Sequence, residues 1–423
     1  MNDDRQNWAG NYTYTAPAVA RPQNLDQLRA AVVRSPKARA LGTRHSFNAI
    51  ADTPGEQISL ENFTKIIAID ESAMTVTAEA GVRYGQLGEY LHERGYALHN
   101  LASLPHISLA GACATATHGS GDRNGNLAAA VAGMQLVTAD GAVEEFSRKN
   151  QGDAFDGMVV SLGALGIVTR LTLKIVPTFP VRQIIYENLL YCDLENHFEE
   201  IFASAYSVSL FTDWQGGRVS QIWRKCLCGK ADDEPMPKMF FGATLASANR
   251  HPIRELSAVN CTVQGGAPGP WHQRLPHFRM EYTPSSGQEL QSEYFVPRTR
   301  AVEALRAVVE LRDKITPHLM VSELRTIAAD DLWMSPCYRR PCLGIHFTWK
   351  QNWPAVQKIL PEIERSLEPF EARPHWGKLF TMSPARLASL YPKLPDFREL
   401  ASRFDPQGKF RNEFVDRYIR GPE

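Results

Sequence analysis

The residues of this 423-residue chain with the most chemical potential lie in two small-residue segments and one charged pair. The first segment is Leu41-Gly42-Thr43-Arg44-His45-Ser46-Phe47-Asn48, which follows a predicted strand. The second runs from Ile107 through Ser108, Gly111, Thr115, Ala116, Thr117 and His118 to Gly121. Small side chains let backbone N–H groups approach a pyrophosphate, and clustered Ser and Thr hydroxyls add donors without bulk. The second segment carries little charge and much apolar content, which suits a buried loop clasping a ligand better than a flexible surface loop. Its glycines at 119, 121 and 125 space as GxGxxxG, one residue too long for the dinucleotide fingerprint, and the strand-to-helix context is missing. No GK[ST] is present, so a P-loop is excluded. Taken alone, His45 reads as a hydrogen-bonded loop histidine. The charged pair is Glu323 and Arg325, two apart on a predicted strand, so that an acceptor and a donor share one face. A lone pair of this kind is ordinarily a surface salt bridge; the apolar residues Leu319 to Val321 and Ile327 around it point to a semi-buried pair.

Lys plus Arg and Asp plus Glu both number 46, giving zero formal net charge, and apolar residues make up 43%. With no basic excess or basic block to meet phosphates, nucleic acid is excluded as a partner. Met1 to Gln6 is polar and no apolar signal-peptide core follows it. No stretch reaches the roughly 18 apolar residues of a membrane span, so no membrane association is expected. Seven cysteines, an odd number scattered along the chain, fit reduced thiols and a cytoplasmic location. The close sets Cys226/Cys228 and Cys337/Cys342 lack a second pair of ligands at short spacing, so they read as incidental thiols and no metal is expected.

Positioning these residues requires a many-stranded framework. Asn24, with Gln27 three residues on, caps a predicted helix whose stripe is Leu25, Leu28, Ala31 and Val32, and Ala38 to Leu41 follows as a strand. Strands are predicted at 57–60, 65–69, 75–79 and 166–176, and a helix at 84–94 is stopped by Gly95. Met134 to Thr138 and Val143 to Phe146 read as a hairpin because Asp140-Gly141 supplies the positive backbone angles of a tight turn. Further helices are predicted at 154–162, 298–313 and 355–367. Beyond Pro180 aromatic residues become denser and proline-containing loops longer, which places a domain boundary near residue 178.

Gly42-Thr43-Arg44-His45-Ser46, together with the small-residue segment through Thr117-His118-Gly119, resembles the flavin-binding domain of the vanillyl-alcohol-oxidase family, in which the pyrophosphate of FAD lies between two such loops. Asn7-Trp8-Ala9-Gly10-Asn11, the segment Ala102 to Ser108, Ser322-Glu323-Leu324-Arg325, His346-Phe347-Thr348-Trp349 and Arg373-Pro374-His375-Trp376-Gly377-Lys378 look like the bacterial alditol oxidases of that family. The resemblance extends to Asp405-Pro406-Gln407-Gly408-Lys409-Phe410. The family often has glycine at the position of Arg44.

The resemblance implies an α+β, two-domain fold: an FAD-binding domain over residues 1–178, completed by about 385–423, and an antiparallel-sheet substrate cap over 179–384. It implies covalent FAD attached through His45, with Leu41, Gly42, Thr43, Arg44, Ser46, Phe47, Ser108, Gly111, Thr115, Ala116, Thr117, His118, Val168 and His375 around the cofactor. Ser103, Glu323, Arg325, Thr348 and Lys378 would contact substrate, with Ala102 leaving room for oxygen near the flavin. Lys378 would set positive charge over a developing alkoxide or act as a base if burial depresses its pKa, and His346 is a second base candidate; the sequence does not choose between them. The implied activity is oxidation of a primary hydroxyl of a polyol such as xylitol or sorbitol to the aldehyde, with hydride transfer to flavin N5 and O2 reduced to H2O2, by a monomer. An aldonolactone oxidase acting on a sugar 1,4-lactone is the alternative, and a non-catalytic flavin or sugar binder a third reading.

Overall fold

Asn24 accepts a hydrogen bond from the backbone N–H of Gln27 at 3.0 Å and starts the helix Leu25–Arg34, whose Leu28, Ala31 and Val32 are buried. That helix packs near a three-stranded parallel sheet ordered Ala18–Ala20, Glu56–Ser59, Ala38–Leu41. A five-stranded antiparallel sheet follows, ordered Ile66–Asp70, Thr75–Glu79, Ile167–Lys174, Val131–Val137, Val143–Ser147. The computed structural model describes residues 5–229 and 236–421.

A ten-stranded antiparallel sheet accounts for most of the remainder. From Pro180–Leu190 its strands run Arg218–Leu227, Ser207–Thr212, Leu319–Ile327, Cys342–Trp349 and Leu290–Pro297 to Arg373–Pro374 at the edge. The helices Ala301–Val309 and Trp353–Ser366 bury one apolar face each, through Leu305 and Val308 in the first and Val356, Ile359, Leu360 and Ile363 in the second. The chain then returns to its beginning. Phe410 is buried in the same cluster as Leu28, Val32 and Ile58; the Ala38 N–H donates to Lys409 O at 2.9 Å. Arg39, buried, gathers the carbonyls of Leu162, Gly163 and Phe410 at 2.7–2.9 Å.

Four expectations from sequence are corrected. The segment 107–121 is not wholly a loop: Leu109–Ala114 is a short helix, because Leu109, Ala112 and Cys113 pack into the core. In the hairpin only Gly141 takes a positive φ, 83°; Asp140 instead accepts from the Thr138 hydroxyl and the Ala142 N–H. The helix predicted over 154–162 ends at Val159, and Leu162 adopts a left-handed φ of 52°. The helix predicted over 298–313 is broken into a 3-10 turn, the helix Ala301–Val309 and the short turn Arg312–Ile315.

Candidate active site

A cavity is walled on one side by the two small-residue segments and on the other by the ten-stranded sheet. Leu41 through Phe47, Ser108, Gly111, Thr115, Thr117, His118 and Val168 line it. Ala116 does not: with φ at 53° it turns its methyl into the apolar core while its neighbours face the cavity. The two segments meet at Ser108. A Cβ on Gly42 would lie 2.8 Å from Ser108 Oγ and one on Gly111 2.9 Å from the same atom, so a larger residue at either position would have to displace that hydroxyl. The Ser108 N–H donates to Thr43 Oγ1 at 3.3 Å. Arg44 has φ 62°, the left-handed region in which glycine is at ease, which gives the family's frequent glycine there a backbone reason.

His45 stacks on Trp8, ring centroids 5.3 Å apart and planes 19° from parallel. Both its ring nitrogens are buried without a hydrogen-bond partner. Burial pushes the imidazole down to about 3, so the ring is neutral. An orphaned polar group of this kind is costly unless a ligand completes it. The loop that holds it is tied on several sides. Asn7 Nδ2 donates to Ser46 O and Asn11 Nδ2 to Phe47 O, each at 2.9 Å. The Phe47 N–H donates to Gly377 O at 2.8 Å, and Asn48 Nδ2 donates to Trp376 O and Lys378 O at 2.9 and 2.8 Å.

On the sheet side, register aligns three titratable groups. Glu293 pairs with His346, and His346 with Glu323, across three neighbouring strands. Two residues along, Thr348 and Arg325 fall on the same faces by strand periodicity. Glu293, fully buried, is the hub. Its Oε1 accepts from Arg325 Nη2 at 2.9 Å and lies 3.1 Å from His118 Nε2. Its Oε2 accepts from Lys378 Nζ at 2.6 Å. Burial opposes ionisation of Glu293, but Lys378, His118 and Arg325 outweigh it and hold the carboxyl well below its ordinary range. Glu323 is likewise held low against the cost of burial, by Arg325 and His277, whose Nε2 lies 2.7 Å from its Oε1. Arg325 Nη1 donates to Ser103 Oγ at 3.2 Å, and Ala102 and Ser103 line the same cavity.

Lys378 Nζ also lies 2.8 Å from His346 Nδ1, and His346 Nε2 lies 3.1 Å from Thr348 Oγ1. Burial lowers the Lys378 ammonium from its usual range, with Glu293 working the other way. Burial first and Lys378 second push His346 down to about 4. An ammonium can only donate, so His346 Nδ1 is the acceptor and its Nε2–H donates to Thr348. Two carboxylates and two cations with neutral histidines leave this end of the cavity without net charge. His375 holds its place by accepting the Gly377 N–H on Nδ1 at 3.0 Å, and burial drives it well below the ordinary histidine range. His118, Glu293 and His375 bring ligand-type atoms within 4.8 Å of one another, but the charge of Glu293 is already shared by Arg325 and Lys378.

Sequence reasoning passed over Glu293 and His277. Glu293 carried a signal: it is the one charge in the strand Leu290–Pro297, beside Tyr294, Phe295 and Val296. His277 carried none, since it sits in an aperiodic, proline-rich stretch.

A cradle of small residues leading to an unpartnered imidazole is what a histidine-tethered flavin requires, and it sets the molecule among the FAD-dependent oxidoreductases. Residues 16–147 match the family described as FAD binding domain, and residues 283–418 match D-arabinono-1,4-lactone oxidase. Over 98% of its length the chain is 46% identical to an alditol oxidase of Streptomyces sp., covering 99% of that protein. An L-gulono-1,4-lactone dehydrogenase of Mycobacterium tuberculosis is 29% identical, over 98% of this chain and 99% of that one. The crystal structure of cholesterol oxidase from B. sterolicum superposes with a TM-score of 0.77 at 14% identity, over 98% of this chain and 96% of the other, and so shares the fold. The chain belongs to the alditol oxidase family of FAD-dependent flavoproteins.

Proposed function

We propose that this chain is an FAD-dependent alditol oxidase, converting a primary hydroxyl of a polyol such as xylitol or sorbitol to the aldehyde while O2 is reduced to H2O2. The observation that carries this reading is the charge-balanced set of Ser103, Glu293, Glu323, Arg325, His346, Thr348 and Lys378 in one cavity with His45. A neutral, hydroxyl-rich substrate needs alternating donors and acceptors and gains nothing from a net field. FAD would lie against Leu41 to Phe47, Ser108, Gly111, Thr115, Thr117, His118, Val168 and His375, with a covalent bond from His45. The orphaned nitrogens of His45 and the closeness of Gly42 and Gly111 to Ser108 fit that cofactor. When bound there, FAD supplies the acceptor for the hydride leaving the carbinol carbon and passes the electrons to oxygen.

The protein's own part is positioning and proton handling. Lys378 spends two N–H bonds on Glu293 and His346, which leaves a third for the reacting hydroxyl oxygen. Negative charge developing on that oxygen meets the ammonium directly. Two groups are placed to take the hydroxyl proton: Lys378, whose own proton burial loosens, and the neutral His346 2.8 Å behind it. Glu323 and Arg325 take neighbouring hydroxyls as acceptor and donor, and Ser103 and Thr348 add neutral contacts. The chain divides accordingly, with the FAD unit over 1–178 completed by about 385–423 and the substrate cap over 179–384. The return of Phe410 to the cluster of Leu28 supports that division.

The match of residues 283–418 to D-arabinono-1,4-lactone oxidase favours a second reading, a sugar 1,4-lactone as substrate. Peroxide release with xylitol and with a sugar 1,4-lactone, measured side by side, separates them. Faster turnover of xylitol supports the alditol reading, and turnover of the lactone alone would replace it.

A further inference from the structure

Behind the substrate-facing carboxylate lies a second buried array that the reaction as described does not use. Lys225, 1% exposed on the strand Arg218–Leu227, places its ammonium 3.0 Å from His277 Nδ1 and also against the carbonyl of Leu275. His277, itself buried, puts Nε2 2.7 Å from Glu323 Oε1. The histidine is fixed from outside as well: its ring meets Phe211 and Trp223 edge-on at 5.5 and 5.1 Å, and its backbone N–H donates to Ser103 O at 3.1 Å. A buried ammonium is tolerated only where hydrogen bonds and nearby charge offset its lost hydration.

We propose that Lys225 and His277 are positioning residues for substrate recognition, in which Lys225 fixes the tautomer of His277 so that Nε2–H donates to Glu323 and aims its free oxygen at a polyol hydroxyl. The logic is one of donors. Lys225 donates to Leu275 O; burial pulls its ammonium down to about 7, and below that pH, still protonated, it has only donors to offer and makes Nδ1 of His277 the acceptor. The single ring proton of the neutral histidine then lies on Nε2, facing a carboxylate. Arg325 Nε approaches the same Oε1 at 3.5 Å, so both protein contacts converge on one oxygen and Oε2 is left for the ligand. The opposite tautomer would set a lone pair against Oε1 at 2.7 Å and turn the carboxylate away. Ser103, held by Arg325 and by the His277 segment, would move with it.

This inference rests on the alditol reading for its substrate but not for its central claim. In selectively 15N-labelled holoenzyme at pH 6, where Lys225 is protonated and His277 neutral, the His277 ring nitrogens, assigned with His277→Gln, should report protonation at Nε2. Lys225→Met should move them toward the Nδ1–H form. It should also raise KM for xylitol by about tenfold, the worth of one charge-assisted hydrogen bond, with kcat and flavin content changed much less. His277→Gln, which keeps an amide donor toward Glu323, should retain most of the affinity that His277→Leu loses. Protonation at Nδ1 in the wild type, or an unchanged KM in Lys225→Met, would overturn the proposal. Wild-type protein that shows the Nε2–H tautomer but oxidises no polyol would refute the alditol reading and leave the tautomer lock standing.

Discussion

At the scale of single residues the account turns on two half-buried polar groups that line one cavity. His45 is an imidazole without a hydrogen-bond partner, and Lys378 is an ammonium whose counter-ion, Glu293, it shares with Arg325. Each points to a ligand. Replacing His45 by alanine removes the proposed tether, so acid precipitation should release the yellow cofactor from His45→Ala and leave it with the wild-type protein. Flavin that extracts from the wild type contradicts the covalent assignment. Lys378→Met should keep its flavin and lose kcat on the order of a hundredfold, the usual cost of removing a preorganised group over a developing oxyanion; unchanged turnover would move that role elsewhere. Motif resemblance singled out His45, Glu323, Arg325 and Lys378, and the fold brings all four to one cavity. The resemblance did not reach Glu293, because a hub that touches four other groups is defined by strand register, and register is invisible in a single sequence. Nor did it reveal that Ala116 faces inward, since a left-handed backbone angle in the middle of a small-residue run leaves no mark on composition.

Among elements, the decisive contact joins the loop after the first parallel sheet to the segment after Arg373–Pro374. Asn48 holds the carbonyls on either side of Gly377, so the His45 loop and Lys378 are set by the same side chain. Asn48→Ala takes the donor from two part-buried carbonyls. It should cost about 1–3 kcal/mol of stability and lower kcat as well, read by thermal melting alongside turnover. A melting loss with turnover intact would show that the link stabilises without positioning. Helices and strands with strong local signals were legible: the Asn24 cap and its apolar stripe, and the strand that sets Glu323 and Arg325 two residues apart. Breaks were not. The predicted helix over 298–313 is interrupted after Val309 and resumes at Arg312, and the short helix at Leu109–Ala114 forms because tertiary burial overrides a sequence that reads as loop.

For the whole molecule, 46 positive and 46 negative side chains sum to zero, and the proposed site repeats that balance with two of each. The neutrality that set nucleic acid aside is also what a polyol calls for. Two strand systems, one within residues 18–174 and one within 180–374, meet around a cavity fed by both, and the chain's last residues return to the first helix. Among the described residues no helix is long and apolar enough to cross a membrane. The two-part α+β architecture was legible because the change in composition near Pro180 coincides with the start of the large sheet; the pairing order of its ten strands was not, because non-consecutive neighbours leave no local trace. The measurement that bears most directly on the central claim is the visible spectrum of the purified protein, taken without oxygen before and after xylitol is added. The account predicts a flavin absorbance that bleaches with the polyol and returns on admitting air, with one H2O2 formed for each flavin re-oxidised. A flavin spectrum that no polyol bleaches would contradict it.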